Sequence, residues 1–83
     1  MIRSMMAKIT LTSAPADRRL VIKEINAGLD IKKRLNVMGL HVNDELIKHT
    51  WAKWGPVLVQ NTSNSGAKVA LGRNLAEMII VEY

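Results

Sequence analysis

DIKKRLNVMGL, residues 30–40, reads as one short helix with both ends marked. Asp30 suits the N-cap, because its carboxylate can accept from the free N–H groups of the first turn. Ile31, Leu35 and Met38 fall at i, i+4 and i+7, one apolar stripe of the helical period. Gly39 then takes the position where a left-handed residue closes the last turn, and Leu40 can fold back onto Leu35. A helix of about nine residues is not stable alone in water. Its stripe must therefore lie on something, and a sheet end is the expected support. With the stripe inward, Lys32, Lys33 and Asn36 point outward and Arg34 sits at the border.

Upstream, SAPAD (residues 13–17) is a turn signal in which Pro15 bars regular pairing. RRLVIKEI (18–25) follows and is dense in β-branched residues, so it reads as a strand. Its alternation is imperfect: Ile22 and Ile25 are three apart, which predicts a bulge or sharp twist between them. NAG (26–28) ends the strand. Downstream, DELIKHT, PVLVQN, KVAL and MIIVEY are short strand-like runs separated by WAKWG, TSNSG and GRNLAE. Short strands at close spacing with turn signals between them suggest a small barrel or sandwich. GRNLAE has about the length of one 3₁₀ turn. The expected fold is thus mainly β, with one short α-helix inserted after the first long strand.

The chain has 83 residues, room for a single domain. A domain of this size buries only about 60% of its unfolded surface, so a simple core is expected. Cysteine is absent, which removes disulfides, thiolate nucleophiles and thiolate metal ligands. MIRSMMAKITLTS has no continuous apolar core for a secretory signal, and no apolar run approaches the roughly 20 residues that span a bilayer. A soluble cytoplasmic protein is the expectation. The net charge of +5 raises encounter rates with anionic partners without choosing among them.

LVIKEINAG, IKKRLNVMGL, GPVLV and GAKVALGRNLAEMIIVEY, in this order and spacing, resemble the FeoA family, the small cytosolic companions of the bacterial ferrous-iron transporter FeoB. The resemblance runs from about Leu11 to Glu82, and its most specific part is the KKRL…GL helix followed by ALGR.LAE.I.VE. It implies an SH3-like small β-barrel over residues 9–83, with residues 1–8 as a flexible N-terminal extension. It also implies a role in ferrous iron transport and iron homeostasis, with transition metal ion binding as a family-level property. The same module occurs at the C-terminus of some metal-dependent repressors, so fold does not fix function. Asp17, Asn43 and Asn74 stand where the family commonly has Gly. Asp and Asn are the non-glycine residues that best tolerate a left-handed backbone, so three preserved turns are expected.

No nucleophile elbow, phosphate loop or dinucleotide turn appears, and no catalytic residues or cofactor are expected. His41 and His49 are the two imidazoles, and Asp44 is the nearest carboxylate. An eight-residue gap does not force them to converge as an Fe(II) facial site requires, so both read as surface or packing residues and no metal site is assigned. Lys32, Lys33 and Arg34 read either as a solvated face or as a docking surface for an acidic protein patch, where the Arg34 fork could bind a carboxylate bidentately. Trp51 and Trp54, in a predicted hairpin loop, are the other candidate anchors. Trp51 is expected to lid the barrel end and Trp54 to be exposed, available to a partner or to a second copy in a homo-oligomer. The expected partner is a FeoB-type membrane transporter with a GTPase domain, which would make this chain peripheral to the membrane only through that contact. The alternative is a small basic β-barrel that binds RNA or DNA, since a basic helix beside an aromatic loop is a generic nucleic-acid footprint. Interspersed Glu24, Asp30, Asp44 and Glu45 weigh against it, and no nucleic acid is expected.

Overall fold

The structure is a computed structural model that describes residues 7–50, 53–63 and 66–83. Its elements in chain order are β1 (Lys8–Thr10), β2 (Arg19–Ile25), α1 (Leu29–Val37), β3 (Glu45–Lys48), β4 (Val57–Asn61), β5 (Lys68–Leu71), α2 (Arg73–Glu77) and β6 (Ile79–Glu82). The strands form one sheet in the order β1-β6-β2-β3-β4-β5, and every pairing is antiparallel. The mainly β, SH3-like architecture with a helix after the first long strand is therefore observed. Among the described residues no ladder joins β1 to β5, so hydrogen bonds do not close the sheet into a complete barrel.

Alternation builds the core. Leu46 and Lys48 of β3, Val57, Val59 and Asn61 of β4, and Ile79 and Val81 of β6 are buried while their neighbours along each strand are more exposed. Period-2 strands with one wet face do this wherever a single core must be covered. β2 breaks the period as expected. Ile22 pairs with Val81 and Glu24 with Ile80, so Lys23 is the extra residue of a bulge. The bulge flips the strand's phase and lets both Ile22 and Ile25 face the core.

α1 ends as its residues dictate. Gly39 has φ 89°. The Leu40 amide donates to Leu35 O at 2.9 Å and the Gly39 amide to Asn36 O at 3.0 Å, the paired closing bonds of a Schellman turn. Leu35 and Leu40 are both fully buried. The other end differs from expectation. Gly28, not Asp30, is the N-cap: the Lys32 amide already donates to Gly28 O at 3.1 Å, and no side chain caps the helix. Asp30 sits in the first turn instead, where its charge still complements the helix dipole.

Three further readings are corrected. GRNLAE is a short α-helix rather than a 3₁₀ turn, because the Ala76 amide reaches Gly72 O at 3.1 Å and Ala76 is buried. Asp17 and Asn43 have φ of 62° and 77°, as their glycine-like positions require, but Asn74 lies inside α2 and has no such backbone. Lys8, placed by the sequence in the 1–8 extension, is the first residue of β1. It pairs with Glu82, and the Ala7 amide donates to Tyr83 O at 3.2 Å.

Candidate functional site

The helix α1 presents three faces. Leu35 is fully buried, with Ile31 and Met38 packed against the core as the spacing predicts. Lys32, Lys33 and Arg34 are all exposed, and among the described residues none has a side-chain hydrogen bond or ion pair. Beside them Val37 is 88% exposed and Leu29 68% exposed. Apolar side chains that bare gain little from folding, because little of their surface leaves water.

The three cations do not act as one cluster. Lys33 and Arg34 join Val37 and Met38 around a shallow depression of about 350 Å³ with apolar flanks and a cationic rim. Lys32 turns to the opposite flank and lines a second recess, of about 390 Å³, with Lys23, Glu24, Asn36 and His41. A 3.6-residue period sets residues 32 and 34 about 200° apart, so Lys32 and Arg34 cannot share a face, and Lys33 between them falls on the Arg34 side.

Trp54 is 81% exposed, as expected. Trp51 lies outside the described residues. The Trp54 loop turns at Gly55, whose φ is 78°, and it is held to α2 by Arg73 Nε donating to Gly55 O at 3.2 Å. Trp54 lines neither the α1 depression nor the recess beside Lys32.

The two imidazoles have separate partners. His41 Nδ1 lies 3.2 Å from Asp44 Oδ2, which also accepts from the His41 amide at 3.0 Å. Burial pushes the Asp44 carboxyl upward, but the hydrogen bonds from Asn61 and from the His41 amide and ring outweigh it and hold it below its usual value. His49 Nε2 faces Gln60 Oε1 at 2.9 Å, and Gln60 Nε2 donates in turn to Gly66 O at 3.0 Å. Among the described residues no three His, Cys, Asp or Glu side chains gather into a metal-binding group.

Two polar residues that the sequence did not single out are buried. Lys48, 6% exposed, donates from Nζ to Thr12 O and Ala14 O, both at 2.8 Å. Burial first, and then the nearby Arg73 charge, lower its pKa. Asn61, 3% exposed, donates from Nδ2 to Gly39 O at 2.6 Å and to Asp44 Oδ2 at 2.8 Å, joining the end of α1 to the following turn. The signal for both was phase: each continues the inward alternation of its own strand, and an inward polar residue must find partners.

Residues 9–83 match the family model of the FeoA domain. A protein of Methanocaldococcus jannaschii, whose name of Fe(2+) transport protein A is provisional, is 35% identical over 72 residues, spanning 87% of this chain and 83% of its own. The fold is similar to the crystal structure of an iron uptake regulatory protein, FeoA, with TM-score 0.82 and 19% identity over 93% of this chain and 100% of that one. It is also similar to part of ScaR, solved with bound Zn²⁺, with TM-score 0.78 and 19% identity over 89% of this chain but 36% of the other. The last two likenesses speak for the fold alone. No helix among the described residues is long and apolar enough to cross a membrane.

Proposed function

The chain belongs to the FeoA family, which is associated with Fe(2+) transport, and from that premise we propose that it is a non-catalytic cytosolic adaptor that regulates ferrous iron uptake by contact with a FeoB-type transporter. The observation that carries this reading is the bare α1 face: Val37 exposed beside Met38, with Lys33 and Arg34 standing unpaired among the described residues around the depression. An apolar floor with a charged rim is how protein interfaces are commonly built. Arg34 would take a partner carboxylate with two parallel hydrogen bonds, which the point charge of Lys33 cannot do. Trp54 would supply a second, separate anchor. Such a contact regulates the transporter only if it favours one of its conformations, and that needs different affinities for the two.

The test is binding of the purified chain to detergent-solubilised FeoB-type transporter at physiological salt. Arg34→Glu should weaken binding at least tenfold while the circular dichroism spectrum and melting temperature stay unchanged. Unchanged affinity in Arg34→Glu would show the α1 cations to be a solvated surface. Failure to bind transporter, together with RNA binding that weakens steeply as salt rises, would replace the adaptor by a nucleic-acid-binding barrel.

A further inference from the structure

A recess of about 600 Å³ lies away from α1, between the turn that follows β1 and the start of α2. Thr12, Ala14 and Pro15 form one wall, and Lys48, Lys53 and Arg73 bring three cations to it. Among the described residues lining it, none is acidic. The volume falls within the roughly 300–1,000 Å³ typical of small-ligand sites.

Lys48 is the unusual member. Cations are rarely this buried unless paired, and here its two partners are the neutral carbonyls of Thr12 and Ala14. An ammonium has three N–H donors, of which two go to these carbonyls among the described residues, and Lys48 lines the recess. The Arg73 charge acts on Lys48 and opposes its protonated form, which burial disfavours already. The Thr12 hydroxyl is also shut from solvent and makes no hydrogen bond among the described residues. If Lys48 served only to tie Thr12 and Ala14 to β3, an uncharged donor would do so without gathering like charges. A bound anion would offset that repulsion.

We propose that this recess binds a dianionic phosphate group, free or as a small monoester, held by Lys48, Lys53 and Arg73. Charge selects the ligand class. With three cations and no carboxylate among the described lining residues, a dianion neutralises more of the site than a monocarboxylate does. The site shares no residue with the α1 depression, so it stands or falls independently of transporter docking.

The experiment is a titration of the ¹⁵N-labelled full chain with inorganic phosphate, glycerol 3-phosphate and acetate, each at constant ionic strength. Saturable amide shifts at Thr12, Ser13, Ala14 and Lys48 are expected, with half-saturation for either phosphate at least tenfold lower than for acetate. The tighter of the two phosphates tells whether the recess takes the bare ion or an ester. Lys53 is exposed, so Lys53→Gln should leave the fold intact and raise the phosphate half-saturation at least threefold. Shifts that fail to saturate, that appear equally at Lys32, Lys33 and Arg34, that acetate reproduces at the same concentration, or that Lys53→Gln leaves unaltered would each overturn the assignment.

Discussion

Replacing Asn61 by Ala should cost this domain a large share of its stability. The amide donates to Gly39 O and Asp44 Oδ2, while its Oδ1 accepts from the Ser63 amide at 2.9 Å. Three hydrogen bonds at a net value of about 1 kcal/mol each put the loss near 3 kcal/mol. A chain of this length has on the order of 4–12 kcal/mol in total. With a urea slope of about 1 kcal/mol/M, the midpoint should fall by about 3 M, read by circular dichroism. The pH dependence separates this network from simple loss of volume. Asp44 has its folded pKa depressed below 3.8, so its contribution is complete above that value and is lost as pH falls through the folded pKa. Asn61 is the strongest of the bonds that depress it. The stability curves of wild type and Asn61→Ala should therefore approach one another below pH 3.8. Asn61→Asp sets a second carboxylate against Asp44, so at neutral pH it should lose at least as much as Ala and should regain part of the loss on acidification. A midpoint shift under about 0.5 M for Asn61→Ala, with no change in the acid limb, would refute the reasoning.

Other substitutions test the helix and the turn after it. Leu35→Ala should cost about 2–5 kcal/mol in urea unfolding, because Leu35 is fully buried. Val37→Ala, two residues on but 88% exposed, should stay within about 0.5 kcal/mol. At Asn43, whose φ is 77°, Gly should be tolerated, whereas Val should cost about 1–2 kcal/mol, a difference that thermal melts would resolve.

The elements that could be read along the chain were those whose signal is local. The β2 bulge followed from two isoleucines three apart, and the Schellman turn from Gly39 and Leu40 at fixed offsets. The elements that were missed lack such a signal. β1 has three residues, none fully buried, and its pairing with β6 is with the far end of the chain. The length of GRNLAE could not separate a 3₁₀ turn from an α-turn, a choice settled by the burial of Ala76 and its bond to Gly72. Asp30 looked like a cap because its type fits, but the backbone entered the helix two residues sooner, with Gly28 as the cap.

For the candidate sites the division is sharper. Sequence by itself determined that Lys32 and Lys33 lie outward, with Arg34 at the border of the stripe, because an amphipathic stripe leaves its complement in water. Only the tertiary structure parted Lys32 from Lys33 and Arg34 and bared Val37 beside them, since those facts depend on which neighbours each helix flank meets. Sequence also determined the family, through motifs spread over most of the chain. It was silent on Lys48, Lys53 and Arg73 as a group. They are separated along the chain, and they meet only because β3, the loop before β4 and the start of α2 come together around one recess. Periodicity reports a residue's own face, whereas convergence is a property of the packed chain.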